Sequence, residues 1–323
     1  MASQKFFRFF TTERGKKFMM YTSTIAGLSA FCIKYLPHTL LAEKHKEIVA
    51  SYQNGIERKV SETLEKRLVT ALNSLKITDS ERDFFVPFIV SGFDLYSIGS
   101  TKFRDGCLVG IPVNYSYTAS DEIPRTEITV RGYDQVDWSS NAGKLLQEGL
   151  VLSEPEQIFG ICREILELKS HKVLFNALYP VGSILLYYSI TSTVNTRNHL
   201  FKGPLSLRLV MYSIVGLFSL GIYCFVKDFT QVALDKYVDE TLANLGANFL
   251  VAGLGFYDKI LKKNMAIKNL TNTSELTAMG NINSYFRTKT IPLTDRKMYF
   301  QKRLKEFIAE EEKKKEIEID ETK

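Results

Sequence analysis

The amino-acid sequence predicts an α+β membrane protein: a transmembrane helical hairpin with extended helices packed on a small β-sheet, plus an N-terminal apolar anchor helix. Three observations lead to this prediction. Two uncharged apolar segments, 173–194 and 209–226, are joined by a short basic loop. A stretch rich in β-branched and aromatic residues covers 84–138. Finally, 24% of the 323 residues are charged, so substantial soluble mass surrounds the hairpin.

The hairpin is predicted over 173–226. Its first apolar segment has 22 residues, which gives roughly 33 Å of helix against a hydrocarbon core of about 30 Å. The second has 18 residues, near the lower limit of about 17 for spanning. Neither carries a charge, which would cost about 2.5–3.5 kcal/mol at a helix centre. The loop supplies Arg197, Lys202 and Arg208 and no acid. A hairpin buried in a soluble core is the alternative, but such helices usually keep a polar face.

The N-terminal region 1–37 is predicted to be a basic targeting segment and a membrane anchor. Residues 1–17 hold five basic residues, four phenylalanines and the single acid Glu13. A basic, acid-poor, amphipathic start is typical of mitochondrial targeting segments. The apolar stretch 18–33 is short for a span and fits a signal-peptide core, a short third membrane helix or an amphipathic anchor. We expect a retained anchor that also serves in targeting.

A soluble region that is first helical and then β-rich is predicted over 38–172. Between residues 38 and 75, apolar side chains recur at helical spacing among lysines and glutamates. Residues 84–138 are punctuated by glycines, and we expect three to five strands there. Ser153, with Glu156 three residues later, predicts a capping box. The helix that begins there runs without a breaker into the first apolar segment.

The chain after the hairpin divides into two regions. Residues 227–300 are predicted to be helical and to complete the soluble domain, with a loop-like stretch over 271–294. Residues 301–323 form a charged C-terminal tail. Such a charge run is usually a solvated face.

Composition argues against several classes of protein. The net charge of +6 is modest, and no basic face with interleaved aromatics is present, so we expect membrane lipids and not nucleic acid among the partners. The four cysteines form no CxxC pair, which argues against a zinc ribbon or a disulfide framework. N-x-S/T triplets at Asn114, Asn269 and Asn272 matter only in a chain that enters the secretory pathway.

The sequence has no recognisable catalytic motif. It lacks a P-loop, a dinucleotide fingerprint, a GxSxG elbow and an HExxH, and its four histidines are scattered. We therefore expect no catalytic residue, no metal and no cofactor. Pro180 and Gly182 are candidates for a kink in the first span, and Gly216 and Gly221 for close helix approach. Packing within the hairpin is the alternative role of all four.

Acidic residues flank the hairpin symmetrically. Glu164 lies nine residues before the first apolar segment, and Asp235 lies nine residues after the second. If both helices continue beyond the bilayer, these acids stand side by side roughly 13 Å above the hairpin boundary. Arg163, Glu167 and Asp239 are close to the same level. We interpret the group as an ion-pair cluster; a carboxylate site for a hard cation is the alternative.

The order of elements resembles the membrane-bound zinc metallopeptidases related to the inner-membrane protease of mitochondrial quality control. In that family the helix before the hairpin carries HExxH, and an acid after the hairpin is the third ligand. Here Arg163 and Glu167 stand where the histidines would be, and Glu164 matches the general base. Arginine cannot bind zinc, so the resemblance implies a protease scaffold with a vestigial site. A metallopeptidase-like enzyme with carboxylate ligands at Glu164, Glu167 and Asp239 is the alternative.

Five motifs, together with a basic N-terminal segment that ends in YLPH (35–38), resemble the transmembrane protein 177 family. They are DGCLVGIPVNY (105–115), VDWSSNAGKLL (136–146), LVLSEPEQ (150–157), GFYDKILKKNMAIKNL (255–270) and GNINSYFRTKTIPLTDRK (280–297). The resemblance implies a multi-pass protein of the mitochondrial inner membrane. It implies a non-enzymatic assembly or stability factor whose partners are cytochrome c oxidase subunit II and its assembly factors. The charged tail (305–323) and the lack of a proline-rich stretch after the first apolar segment depart from vertebrate-type members.

Overall fold

A computed structural model describes residues 9–103, 106–130 and 134–321. The chain divides into two compact units. The first consists of Met1–Ala42 and His171–Gln231, and the second of Glu43–Ser170 and Val232–Lys323. Long helices dominate the described residues, a small β-sheet lies in the second unit, and some of the helices are apolar enough to cross a membrane. The predicted α+β membrane fold is therefore confirmed.

The regular elements are numbered along the described chain. The helices are α1 Glu13–Tyr35, α2 Ala42–Val49, α3 Glu62–Ser74, α4 Asp79–Arg82, α5 Asn141–Leu150, α6 Glu154–Leu168, α7 Lys172–Arg197, α8 Leu205–Ala243, α9 Ala247–Thr271 and α10 Leu293–Glu321. The strands are β1 Tyr52–Gln53, β2 Ile56–Glu57, β3 Phe85–Val90, β4 Tyr96–Gly99, β5 Cys107–Pro112, β6 Thr129–Val130 and β7 Asp134–Gln135. One helix, α8, contributes residues to both units.

Two helices of the described residues are long and apolar enough to span a bilayer. They are α7, with 26 residues and a mean hydropathy of 1.5, and α8, with 39 residues and a mean hydropathy of 2.1. A third span is present if Glu13–His38 and Ala42–Val49 count together as one broken span. The predicted hairpin over 173–226 lies within α7, α8 and the loop between them. The expected apolar anchor stretch 18–33 lies within α1, which follows the cap residue Thr12.

Small and polar residues join the helices of the first unit. A β-carbon built on Gly27 of α1 would lie 3.6 Å from Cγ1 of Val181 in α7. The Ser183 hydroxyl of α7 donates a hydrogen bond of 3.0 Å to the carbonyl oxygen of Ser219 in α8. Helix packing in membranes relies on such close approaches and interhelical hydrogen bonds, because lipid provides no hydrophobic force between helices.

A mixed three-stranded sheet lies in the second unit. Its strand order is β3–β5–β4, with β3 parallel and β4 antiparallel to β5. Every residue of the central strand β5 is buried, as expected for a strand covered on both faces. The short pair β6–β7 is separate. The described part of 84–138 thus contains five strands, at the upper end of the prediction.

The core of the second unit is built on aromatic side chains from three helices. Phe159 of α6 is fully buried and packs against Phe256 and Tyr257 of α9 and Phe300 of α10, with ring centroids 5.2–5.8 Å apart. Such aromatic contacts add about 0.5–1.5 kcal/mol beyond burial of area. Since α6 begins at the capping box formed by Ser153 and Glu156, the predicted helix start is confirmed.

The helical interpretation of residues 38–75 is wrong in its middle. Between α2 and α3 the chain forms the antiparallel hairpin β1–β2. Its two-residue turn consists of Asn54 and Gly55, with φ of 54° and 79°. An Asn-Gly turn with both φ values positive matches the twist of paired strands. The local turn therefore overrides the charged, helix-like pattern around it.

The prediction that α6 runs unbroken into the first apolar segment is also wrong. α6 ends at Leu168 and α7 begins at Lys172. The Ser170 hydroxyl donates to the carbonyl oxygen of Glu167 at 2.6 Å, and the Ser100 hydroxyl donates to that of Leu168 at 2.8 Å. These side chains satisfy carbonyls that a continuing helix would use. In contrast, α8 continues past the second apolar segment for a total of about 58 Å.

We predict that Phe159→Ala destabilises the full-length protein in detergent by about 3–5 kcal/mol, because it removes buried area and leaves a cavity. Chemical denaturation followed by far-UV circular dichroism measures the loss. The matched control is Phe286→Ala, since Phe286 is fully exposed and its removal is expected to change stability by less than about 0.5 kcal/mol. Equal effects of the two substitutions would contradict the assignment of Phe159 to the core.

Candidate functional site

A cleft of about 810 Å³ opens in the second unit. Its volume is within the range of about 300–1,000 Å³ that is usual for ligand sites. One wall comes from α9 and the segment 272–292, and another from α6 and the loop before β4. Apolar and polar side chains share the lining, and the large aliphatic and phenylalanine side chains are Phe93, Leu95, Leu152, Phe256, Ile260, Ile267, Leu276, Ile282 and Leu293.

Two polar atoms at the cleft are buried and lack a hydrogen-bond partner among the described residues. They are Oδ1 of Asn114 and Nε of Arg163. The Asn114 amide nitrogen donates to the carbonyl oxygen of Leu150 at 3.1 Å, so half of this amide is already bound. Because Asn114 is buried, the folded chain does not offer it for glycosylation. A buried polar atom without a partner costs about 1–3 kcal/mol, which a bound group could relieve.

Lys263 of α9 fixes one side of the cleft. Its buried ammonium donates to the carboxylate of Asp94 and, at 3.3 Å, to the carbonyl oxygen of Phe93. This cation ties the loop before β4 to α9. Sequence reasoning missed it because Asp94 and Lys263 are 169 residues apart, and no local pattern separates Lys263 from the other lysines of α9.

The acids predicted after the hairpin bind an arginine that the sequence prediction did not include. Nε and Nη2 of Arg296 in α10 donate to the two carboxylate oxygens of Asp239, at 2.6 and 2.7 Å. Nη1 of Arg296 lies 3.6 Å from Oδ1 of Asp235. All three side chains are buried. Two parallel hydrogen bonds to one carboxylate are the strongest geometry available to arginine.

Neutral groups complete this arrangement. The Tyr257 hydroxyl donates to Oδ1 of Asp239 at 2.7 Å, and the amide nitrogen of Ile291 donates to Oδ2 of Asp235 at 3.1 Å. Burial raises the pKa of Tyr257 well above its usual value, although Arg296 opposes the shift. The phenol therefore remains a proton donor at neutral pH. Both oxygens of Asp239 are engaged by protein groups.

The predicted residues of α6 lie beside this pair. Nη2 of Arg163 is 3.2 Å from Glu167 and 3.9 Å from Glu164, and Arg163 also interacts electrostatically with Asp235. Burial alone would lower the pKa of Arg163, but the neighbouring carboxylates, Glu167 first, outweigh it and raise that pKa. The structure thus brings together all five residues of the candidate cluster, with Arg296 and Tyr257 added. Within the described ranges, no group of three or more His, Cys, Asp or Glu side chains could hold a metal ion.

The four candidate helix-contact residues differ from one another in their surroundings. A β-carbon on Gly216 of α8 would lie 3.7 Å from Cε2 of Tyr187 in α7, so this glycine faces the neighbouring helix. Gly182 and Gly221 have nothing within 4 Å of that position. Pro180 lies inside α7, which continues through it. Sequence reasoning missed Gly27, which faces α7 from α1.

The buried thiols are poor nucleophiles. Burial raises the pKa of Cys107 to about 12 and that of Cys162 still further. Both thiols are therefore protonated at neutral pH, whereas a catalytic cysteine needs a lowered pKa. All four cysteines are free.

Comparison with known proteins gives one consistent group of relatives. The chain is 28% identical over 309 residues to Transmembrane protein 177 of Xenopus laevis, which covers 92% of this chain and 96% of that protein. It is 30% identical over 218 residues to the protein of the same name from Rattus norvegicus, covering 66% and 70%. The Homo sapiens protein is 28% identical over 220 residues, again covering 66% and 70%. No family model and no solved structure matches the chain.

We predict that Arg296→Met destabilises the protein by about 3–5 kcal/mol, because it leaves Asp235 and Asp239 buried without their cation. Adding Asp239→Asn to this variant is expected to lower the free energy of unfolding only slightly further. The double-mutant cycle, measured by denaturation in detergent, should give a coupling of about 1–3 kcal/mol.

An exposed ion pair on α8, the helix that carries Asp239, provides the control. Lys236 and Glu240 of α8 are 3.7 Å apart, with 71% and 49% of their side chains exposed. Removing the lysine charge by Lys236→Met is expected to change the free energy of unfolding by less than about 1 kcal/mol. A coupling near zero between Arg296 and Asp239 would show that the buried cluster does not hold these helices together.

Proposed function

Because the chain belongs to the transmembrane protein 177 family, we propose that it is a non-enzymatic assembly or stability factor that binds cytochrome c oxidase subunit II or its chaperones in the mitochondrial inner membrane. The relatives' name and the apolar helices α7 and α8 make it a membrane protein. The organelle and the partner in this proposal come from the family resemblance. The basic residues Arg14, Lys16 and Lys17 at the start of α1 support a mitochondrial targeting segment. Residues 1–8 of the predicted segment lie outside the described residues.

The pairing of the buried carboxylates is the observation that favours binding over catalysis. Asp239 stands where an acidic metal ligand would be expected. Both of its carboxylate oxygens accept hydrogen bonds from Arg296. Arg163 occupies one of the positions that the resemblance to metallopeptidases assigns to histidine, and it is paired with Glu167. A cation at each of these places neutralises the acids that a metal would need.

The cleft supplies a surface for a partner. Its walls combine apolar side chains with polar and charged ones, and two buried polar atoms, on Asn114 and Arg163, lack partners among the described residues. Ile282 lines its mouth with 57% of its surface exposed, and Tyr285 and Phe286 follow as exposed aromatics. Aromatic residues are enriched in protein interfaces. We therefore propose that a segment of subunit II or of its chaperone enters this cleft.

Affinity purification tests this proposal. The tagged chain is expressed in cells that lack their own copy and is purified from solubilised mitochondria. We expect the wild-type chain to enrich subunit II or its chaperones. Ile282→Arg is expected to lower this enrichment about tenfold, because a buried interface anchor contributes on the order of 1–2 kcal/mol.

The control substitution is Val251→Arg on α9. Val251 is 56% exposed, as Ile282 is, but does not line the cleft. Equal enrichment by the two variants would exclude the cleft as the binding site while leaving the partner in place. Lack of enrichment by the wild-type chain, with normal oxidase levels in a deletion strain, would contradict the assembly function itself.

The alternative function is a metallopeptidase-like enzyme with Glu164, Glu167 and Asp239 as ligands, favoured only by the placement of these acids beside one another. Metal analysis of the purified full-length protein discriminates between the two. We expect much less than one metal ion per chain, and normal oxidase levels in cells that carry Glu164→Gln. One bound metal per chain, together with loss of oxidase in Glu164→Gln, would favour the enzyme.

A further inference from the structure

A second cavity, of about 250 Å³, lies within the first unit where α1 and α8 begin and α7 ends. In α8 its lining residues are Leu205, Arg208, Leu209 and Tyr212. Their spacing of i, i+3, i+4 and i+7 places them on one face of the helix. The cavity is therefore at the loop end of the hairpin, near the boundary of the apolar segments.

Arg208 is a buried cation at this cavity without an acidic partner. Only 7% of its surface is exposed. Among the described residues, its Nε has no hydrogen-bond partner and no carboxylate forms an ion pair with it. Its guanidinium carbon lies 5.8 Å from the centroid of the Phe201 ring. A cation–π contact offsets only part of the hydration that a charge loses on burial.

A second cation converges on the same ring. Nζ of Lys16 in α1 lies 5.7 Å from the centroid of Phe201 and donates to the carboxylate of Glu13 at 2.7 Å. Glu13 is largely exposed, and the hairpin loop contains no acid. The cavity thus combines two cations with one solvated acid, so its electrostatic potential favours an anion.

Asn195 of α7 provides a further polar atom. Its side chain is 4% exposed, and its amide nitrogen donates to the Tyr212 hydroxyl at 2.9 Å. Its Oδ1 has no hydrogen-bond partner among the described residues. Because a tyrosine hydroxyl can donate as well as accept, the amide can present either its oxygen or its nitrogen to the cavity.

The surroundings of the cavity are suited to a lipid. Met19 of α1 and Leu209 of α8 line it and are also exposed on the outside of the helices. The volume is below the range of about 300–1,000 Å³ usual for whole small molecules, so it suits a headgroup. Acyl chains would then lie along the apolar helix faces. Basic pockets between membrane helices are known to bind anionic lipid headgroups.

We propose that this cavity binds the phosphate of an anionic phospholipid, with Arg208 as its main counter-ion, Lys16 as the second cation and Asn195 as a hydrogen-bonding group. The site is independent of the partner cleft in the second unit. It makes a particular class of lipid, and not the bilayer in general, a ligand of the protein.

Thermal unfolding of the delipidated full-length protein in dodecyl maltoside micelles tests this inference. The micelles contain dioleoyl phosphatidylglycerol or dioleoyl phosphatidylcholine. At a phosphatidylglycerol concentration of about 100 Kd, we expect the anionic lipid to raise Tm by about 5 °C more than the neutral one. Arg208→Met should abolish this difference, and Arg208→Lys should retain part of it. Lys202→Met, in the loop just before α8 and outside the cavity, should retain all of it.

A further readout separates ligand binding from a purely structural role of Arg208. With phosphatidylcholine alone, Arg208→Met is expected to unfold at the wild-type temperature or above it, because an unneutralised buried charge has been removed. A Tm of Arg208→Met below that of the wild-type protein in both lipids would contradict the proposal. Equal shifts of the wild-type protein with the two lipids would also overturn it, and so would the same shift with inorganic phosphate alone. If Arg208→Met does not fold, native mass spectrometry of the wild-type protein decides: preferential retention of phosphatidylglycerol supports the site, and equal retention refutes it.

Discussion

The second unit depends on the buried contact between Arg296 and Asp239. Each ion loses several kcal/mol of hydration on burial, so the pair persists only if its hydrogen bonds are nearly complete. Arg296 meets this requirement with two bonds to one carboxylate, and Tyr257 supplies a third. These residues come from α8, α9 and α10. Their hydrogen bonds therefore determine which faces of the three helices pack together. A shift of α8 or α10 along its axis would leave a charge buried and unpaired, and a shift of α9 would remove the hydrogen bond from Tyr257.

Sequence reasoning succeeded where a local pattern determines the structure. The spans follow from uncharged length, and the start of α6 follows from Ser153 and Glu156. It failed at Asn54–Gly55 because the charged residues around this turn favoured a helix, although the Asn-Gly pair was itself a hairpin signal. It also failed at 169–171, since the serine hydroxyls that end α6 include Ser100, which is distant in sequence.

The candidate site could be predicted only in part, for a related reason. Placing Glu164 and Asp235 at equal distances from the hairpin required only helical geometry. Arg296 could not be found in this way, because it is 57 residues from Asp239 and α10 contains many other cations. The cleft depends on how the irregular segment 272–292 lies against α9, where Asn264 binds the carbonyl oxygen of Gly280 at 2.8 Å. No periodic signal encodes such a contact.

The two units solve the same electrostatic problem in different ways. In the second unit, the chain itself provides carboxylates for its buried arginine. In the first unit, an acid placed on the membrane helices to neutralise Arg208 would itself be a second buried charge with its own hydration cost. A counter-ion that belongs to the bilayer avoids this cost, because a lipid phosphate already lies at the interface. Leaving Arg208 without an acid is thus consistent with an apolar hairpin whose loop end meets charged headgroups.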